Sequence, residues 1–181
     1  MRIVDIYSFN NGGDITRRYR RLVAEIGNVI ESVKVPKLEK VAPMRMRCSH
    51  DLYNVLVEKF TKLGWKTIRL RCDLPTAFYV EGYANRSTTH EAYRELDLAK
   101  ERVGLEVHFG KPLLDVCSTC AKMTIFRNLG HIDCGIEIVP VKAFADEMST
   151  GVSYFEQFVW DLESRGVADI DVPVLILGID A

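Results

Sequence analysis

Residues 97–108 hold side chains whose types and spacing could do chemistry. Residues 103–109 read Val-Gly-Leu-Glu-Val-His-Phe. Val103, Leu105, Val107 and Phe109 alternate with Gly104, Glu106 and His108. Successive strand side chains point to opposite faces, so this is a strand with one buried face and one polar face. Glu106 and His108 then project into the same space. Asp97 precedes Glu106 by nine residues. Two carboxylates converging at a strand end make a hard oxygen site suited to Mg²⁺, with the Val107 carbonyl as a third protein ligand. Such an ion polarises a phosphoryl oxygen and lowers the pKa of a bound water, which is what phosphodiester hydrolysis requires. His108 would deprotonate that water or position it. The same spacing also suits a solvent-facing or hydrogen-bonded Glu–His pair on an edge strand.

The surrounding elements must hold that strand in place. Met1 to Tyr7 reads as a short strand, and Asn10-Asn11-Gly12-Gly13 as a turn with Asp14 or Thr16 as a helix cap. Leu22, Val23, Ile26, Val29, Ile30 and Val33 recur at helical spacing, opposite a face of Arg17, Arg18, Arg20 and Arg21. That basic face reads as solvated, with phosphate contact as the alternative. Residues 34–50 look irregular. Asp51 to Leu63 predicts an amphipathic helix, and Trp65–Arg71 and Ala77–Tyr83 a strand pair. Residues 84–96 fit helix or loop. After the central strand, Pro112 suits the first turn of a helix whose apolar side is Leu113, Leu114, Cys117, Cys120, Ala121 and Ile125. A strand follows from Asp133 to Val139. Ser153 and Glu156 form a capping box for a helix burying Phe155, Phe158, Val159 and Leu162. Val172 to Ile179 is a final buried strand. The order predicts a mixed α/β domain with a central sheet, one domain over residues 1–181.

Composition narrows the partners. Lys and Arg number 24 against 25 Asp and Glu, a net charge of −1, which excludes a protein held on DNA by bulk charge. Residues 1–47 are nevertheless net +5 and residues 142–181 net −6, so a polyanion would meet a chosen face. No membrane span or export signal is read, and five Cys suggest thiols in a reducing cytoplasm. Cys117, Cys120, His131 and Cys134 could form a zinc site. The first pair, however, falls on the apolar side of a helix, and buried thiols are the expectation. Asp133 and Glu137 read as a strand-end acid and a structural ion pair, and Glu25 as a carboxylate that could approach the metal from behind.

The run Asp97-Leu-Ala-Lys-Glu-Arg-Val-Gly-Leu-Glu-Val-His-Phe-Gly-Lys111 resembles the catalytic segment of type II restriction endonucleases of the BglII/BstYI group. The similarity continues through residues 132–142, 147–156 and 172–179, and through the opening Met1-Arg-Ile-Val-Asp-Ile-Tyr-Ser8. Residues 34–95 match poorly. The resemblance implies a PD-(D/E)xK nuclease core, a central mixed sheet flanked by helices. It implies a homodimer that cuts palindromic double-stranded DNA with Mg²⁺, at a site built around GATC. Asp97 and Glu106 match the group's metal ligands. His108 stands where the superfamily has Lys and this group has Gln. Lys111 and Thr150 match positions that read the outer base pair in the BstYI branch, which has Ser in place of Thr150, and Ser149 shares that loop. A DNA methyltransferase acting on the same site is the implied companion. Rival readings are a DNA-binding relative impaired in cleavage, a zinc-stabilised binding protein without nuclease activity, and a repair nuclease on the same fold.

Overall fold

The computed structural model describes residues 1–35, 42–72, 79–83, 92–109, 113–148, 151–165 and 170–181. Lys111, Ser149, Thr150, His90 and Gly166 lie outside them, as does the side chain of Cys117.

Six strands form one mixed sheet. In chain order they are β1 (Arg2–Phe9), β2 (Lys66–Cys72), β3 (Ala92–Lys100), β4 (Val103–Val107), β5 (Cys134–Pro140) and β6 (Val174–Asp180). Their spatial order is β1-β6-β5-β4-β3-β2. The central β4, β5 and β6 run parallel, while β1, β3 and β2 pair antiparallel at the flanks. Helices cover both faces. On one side lie α1 (Gly13–Arg18), α2 (Arg20–Ser32), α3 (Ala42–Lys62) and α5 (Lys142–Met148); on the other lie α4 (Leu113–Asn128) and α6 (Phe155–Arg165).

Every residue of β4 and β5 is buried. Parallel strands covered on both faces need apolar residues at nearly every position, and the central strands supply them. This alters the expected one-sided character of β4: α4 covers its second face, so Glu106 and His108 are both 0% exposed. Two glycines let the helices on that face sit close. A Cβ on Gly135 in β5 would lie 2.1 Å from Met123 Sδ of α4, and one on Gly178 in β6 would lie 2.9 Å from the Phe155 ring of α6.

The β3–β4 connection is a two-residue turn, Glu101-Arg102, with both residues at positive φ (48° and 67°). That is the twist a tight hairpin requires, usually provided by Asn-Gly. Here ion pairs hold it: Arg21 to Glu101, and Arg102 to Asp133 at 2.6 Å. The Arg102 hydrogen bond holds the Asp133 carboxyl below its usual range, against a smaller upward push from burial.

Several sequence expectations change. Strand β2 pairs with β3; of the expected partner Ala77–Tyr83, residues 77 and 78 lie outside the described residues, and residues 79–83 form a turn in which the Tyr79 and Tyr83 rings meet edge to face. Helix α3 starts at Ala42 rather than Asp51, since Pro43 is tolerated in a first turn. The first helix is capped by Gly12, with no side-chain cap from Asp14 or Thr16. Glu156, one of the two residues expected to cap α6, accepts the Lys142 backbone N–H across the fold (2.9 Å). Among the described side chains of α4 the buried ones are Thr119, Cys120, Met123 and Phe126, whereas Ile125 is exposed; those of Leu113 and Leu114 lie outside the described residues. Among the described residues, no helix is long and apolar enough to cross a membrane.

Candidate active site

The hairpin register pairs Lys100 with Val103 and Leu98 with Leu105. One step further, Asp97 stands opposite Glu106, and there side chains take over from the ladder. The Asp97 N–H donates to Glu106 Oε1 (3.0 Å), and the Val107 N–H donates to Asp97 Oδ2 (3.3 Å). The two carboxylates are therefore joined reciprocally through each other's strands. Both contacts lie at the end of the central strand, where the two carboxylates were expected to meet.

Glu106 is buried, and burial raises its pKa; the charge of Asp97 raises it further, while Lys122 and His108 pull it down. Lys122, on α4, places Nζ 2.7 Å from Glu106 Oε1. From the opposite face, Tyr53 of α3 hydrogen-bonds Asp97; burial foremost, then the Asp97 charge, pushes its phenol up.

His108 follows the last residue of β4. Its backbone N–H donates to the Ile138 carbonyl (2.9 Å), which ties it to β5. Its Nε2 lies 2.9 Å from Glu137 Oε2, with both side chains fully buried. Glu137 Oε1 accepts the Cys120 thiol at 3.0 Å. A carboxylate taken wholly out of water needs such partners, since an uncompensated buried charge is costly. Glu137 thus lies within ion-pair distance of His108, although these two atoms do not form a well-aligned hydrogen bond, and both side chains border Glu106.

Lys122, Glu137 and Tyr53 were not legible as site residues. Glu137 faces the same side as Glu106 because the two are register partners on adjacent parallel strands. A reading that aligned β4 with the Asp133–Val139 strand could have found it. Lys122 sits on a helix otherwise recognised by its apolar stripe, and Tyr53 comes from a helix remote in sequence.

Other candidates are placed elsewhere. Glu25 belongs to the opposite face: although burial pushes its pKa up, hydrogen bonds from Lys100 (2.7 Å) and Trp65 (2.7 Å) hold it below its usual range. It does not approach Glu106. Three of the four arginines at the N-terminal helices are ion-paired: Arg17 to Asp14, Arg18 to Asp133 and Arg21 to Glu101. Cys120 packs on the α4 side of the sheet and Cys134 on the other, with His131 exposed. Sulfurs on opposite faces of a sheet do not close around one zinc ion. His50 and Trp160 are exposed, and Trp65 is core.

The donor set at the hairpin end is two carboxylates and the Val107 carbonyl, all hard oxygens. No cluster of three or more His, Cys, Asp or Glu suited to a metal occurs among the described residues. Mg²⁺ commonly takes only one or two carboxylates and completes its shell with water and phosphate. A buried Glu106 repelled by Asp97 also calls for positive charge. Asp97, Glu106 and Val107 therefore fit a divalent ion.

A sheet parallel at its centre and antiparallel at its flanks, with carboxylates gathered where the two senses meet, has the restriction-endonuclease-like architecture. The chain belongs to the restriction endonuclease BglII/BglIII family, whose model matches residues 4–179. A search of curated proteins finds no match. Membership makes it a nuclease of a restriction system, a class that binds double-stranded DNA and cuts it sequence-specifically.

Proposed function

We propose that this chain is a Mg²⁺-dependent type II restriction endonuclease, a single cytoplasmic domain over residues 1–181. It would act as a homodimer on palindromic duplex DNA with a GATC core, beside a methyltransferase of the same specificity. One observation carries the reading: the hairpin sets Asp97 opposite Glu106, and the carboxylate of Glu106 is buried beside a lysine.

Asp97, Glu106 and the Val107 carbonyl would hold Mg²⁺, which when bound supplies Lewis acidity to the phosphoryl oxygen and acidifies water. Glu106 keeps its geometry through the Asp97 N–H. Tyr53 steadies Asp97 from behind. His108 is clamped by Glu137 and would position the attacking water, a task that needs one hydrogen bond and no basicity, as the family's Gln at this place implies. Lys111, Ser149 and Thr150 would enter the groove and read base edges.

Digestion of a DNA of known sequence with Mg²⁺, followed by mapping of the fragment ends, tests the function. Discrete fragments sharing one palindrome are expected; intact DNA at all divalent ion concentrations would defeat the proposal.

Two predictions attach here. A palindrome reader needs twofold symmetry. Helices α4 and α6 expose Ile125, Leu129 nearby and Trp160, apolar area suited to a second copy. Light scattering should give about twice the chain mass of 20.6 kDa; a monomer, both alone and on DNA, counts against dimerisation. Lys111→Ala should relax preference at one symmetric base pair, since a good base contact discriminates by roughly 1–3 kcal/mol. Cleavage-site libraries would read this. Uniform weakening on all sequences would make Lys111 a phosphate contact instead.

A further inference from the structure

His108 lies 2.9 Å from Glu137 at the end of β4. A lysine reaches Glu106 from a helix. Lys122 leaves the middle of α4, and its Nζ lies 2.7 Å from Glu106 Oε1 with the side chain 22% exposed. Glu106 itself is 0% exposed. The approach depends on Gly135, which lets α4 settle close on β5 at Met123, the residue next to Lys122. The ammonium thus sits on the carboxylate that a divalent ion would use, at the border between the buried cluster and solvent.

We propose that Lys122 is the resident counter-cation of Glu106, neutralising it until a divalent ion is bound and then turning its ammonium to the scissile phosphate. This rests on the nuclease reading above. The chemistry of lysine suits both states: a compact ammonium on a flexible four-carbon stem can change acceptor without moving the helix. While Lys122 holds Glu106, it competes with any divalent ion for the same oxygens. Once displaced, it brings positive charge to a phosphate whose negative charge grows during attack.

Two consequences have opposite signs, which separates this role from a merely structural one. Lys122→Met removes the competitor, so Ca²⁺, titrated calorimetrically into the full chain without DNA, should bind about five- to tenfold tighter. Single-turnover cleavage by the same variant at saturating Mg²⁺ should fall roughly a hundredfold. Lys122→Arg keeps a cation on Glu106, so its Ca²⁺ affinity should stay near that of the unaltered protein. Circular dichroism melts of both variants report folding. Unchanged or weaker Ca²⁺ binding by a folded Lys122→Met would overturn the competition. An unchanged single-turnover rate would overturn the phosphate role. Loss of both together, with a lowered melting temperature, makes Lys122 a structural ion pair and also overturns the proposal. If the unaltered protein binds Ca²⁺ but cuts no DNA, the nuclease reading fails and takes the phosphate role with it, while the Ca²⁺ comparison still decides the competition. Should Lys122→Met not fold, Lys122→Gln gives the same two readouts at closer volume.

Discussion

Glu106→Ala should abolish cleavage, by a thousandfold or more, and leave DNA binding in Ca²⁺ largely intact. The expectation follows from geometry and charge. Glu106 accepts the Asp97 N–H and faces Lys122, so its carboxylate is the junction of the oxygen site. If Asp97 and Glu106 hold the ion as proposed, losing one of the two carboxylates forfeits several kcal/mol of transition-state stabilisation, and about 4 kcal/mol corresponds to about a thousandfold. Affinity for duplex DNA rests mainly on phosphate contacts elsewhere, which this change does not touch. Glu106→Gln adds a control on the fold. Burial and Asp97 disfavour the ionised carboxylate while Lys122 favours it, so the neutral amide, which can still accept the Asp97 N–H, should melt within a few degrees of the unaltered protein. Full cleavage by Glu106→Ala in a plasmid assay would end the assignment of the site. Lost DNA binding would show that the residue serves the fold rather than the reaction.

The second large effect concerns His108, and it falls first on stability. His108 and Glu137 face each other at 2.9 Å with no exposure to solvent. Removing one partner of such a pair strands the other, at roughly 3–5 kcal/mol. For a chain of this length each kcal/mol moves the midpoint by about 2–4 °C, so His108→Ala should melt on the order of 10 °C lower. His108→Gln keeps a polar side chain of similar reach beside Glu137 and should lose much less. In cleavage at a temperature where both variants are folded, Gln should keep most of the activity and Ala should lose about ten- to a hundredfold. Equal collapse of both variants, with folding and DNA binding retained, would mean that imidazole chemistry is required and that positioning is the wrong role.

What the sequence disclosed was local. The alternation from Val103 to Phe109 set Glu106 and His108 on one face because a strand's period does not depend on its neighbours. The matching of Asp97 to Glu106 was readable as spacing, but its cause was not. Glu101-Arg102 lacks the Asn-Gly chemistry that marks a tight hairpin, and its backbone is held by Arg21 and Asp133, which are distant in sequence. The same limitation misplaced the partner of β2, since strand pairing is decided by tertiary packing. Helix α5, seven residues long, shows too few turns for a periodic signal. Glu137 and Lys122 were visible as residues and unreadable as site members, because only the crossover from β4 through α4 to β5 brings them beside Glu106.

That division implies an order of assembly. Asp97, Glu106 and the turn between them lie within a dozen residues, and a hairpin of this size closes in microseconds. Lys122 and Glu137 join only when parallel pairing of β4 with β5 has closed the longer loop through α4, a slower and more non-local event. A folding chain therefore holds its two carboxylates face to face before the charges that offset them arrive. Metal ions present during folding would find their oxygen ligands already gathered, and refolding in Mg²⁺ would start from a less repelled hairpin than refolding in chelator.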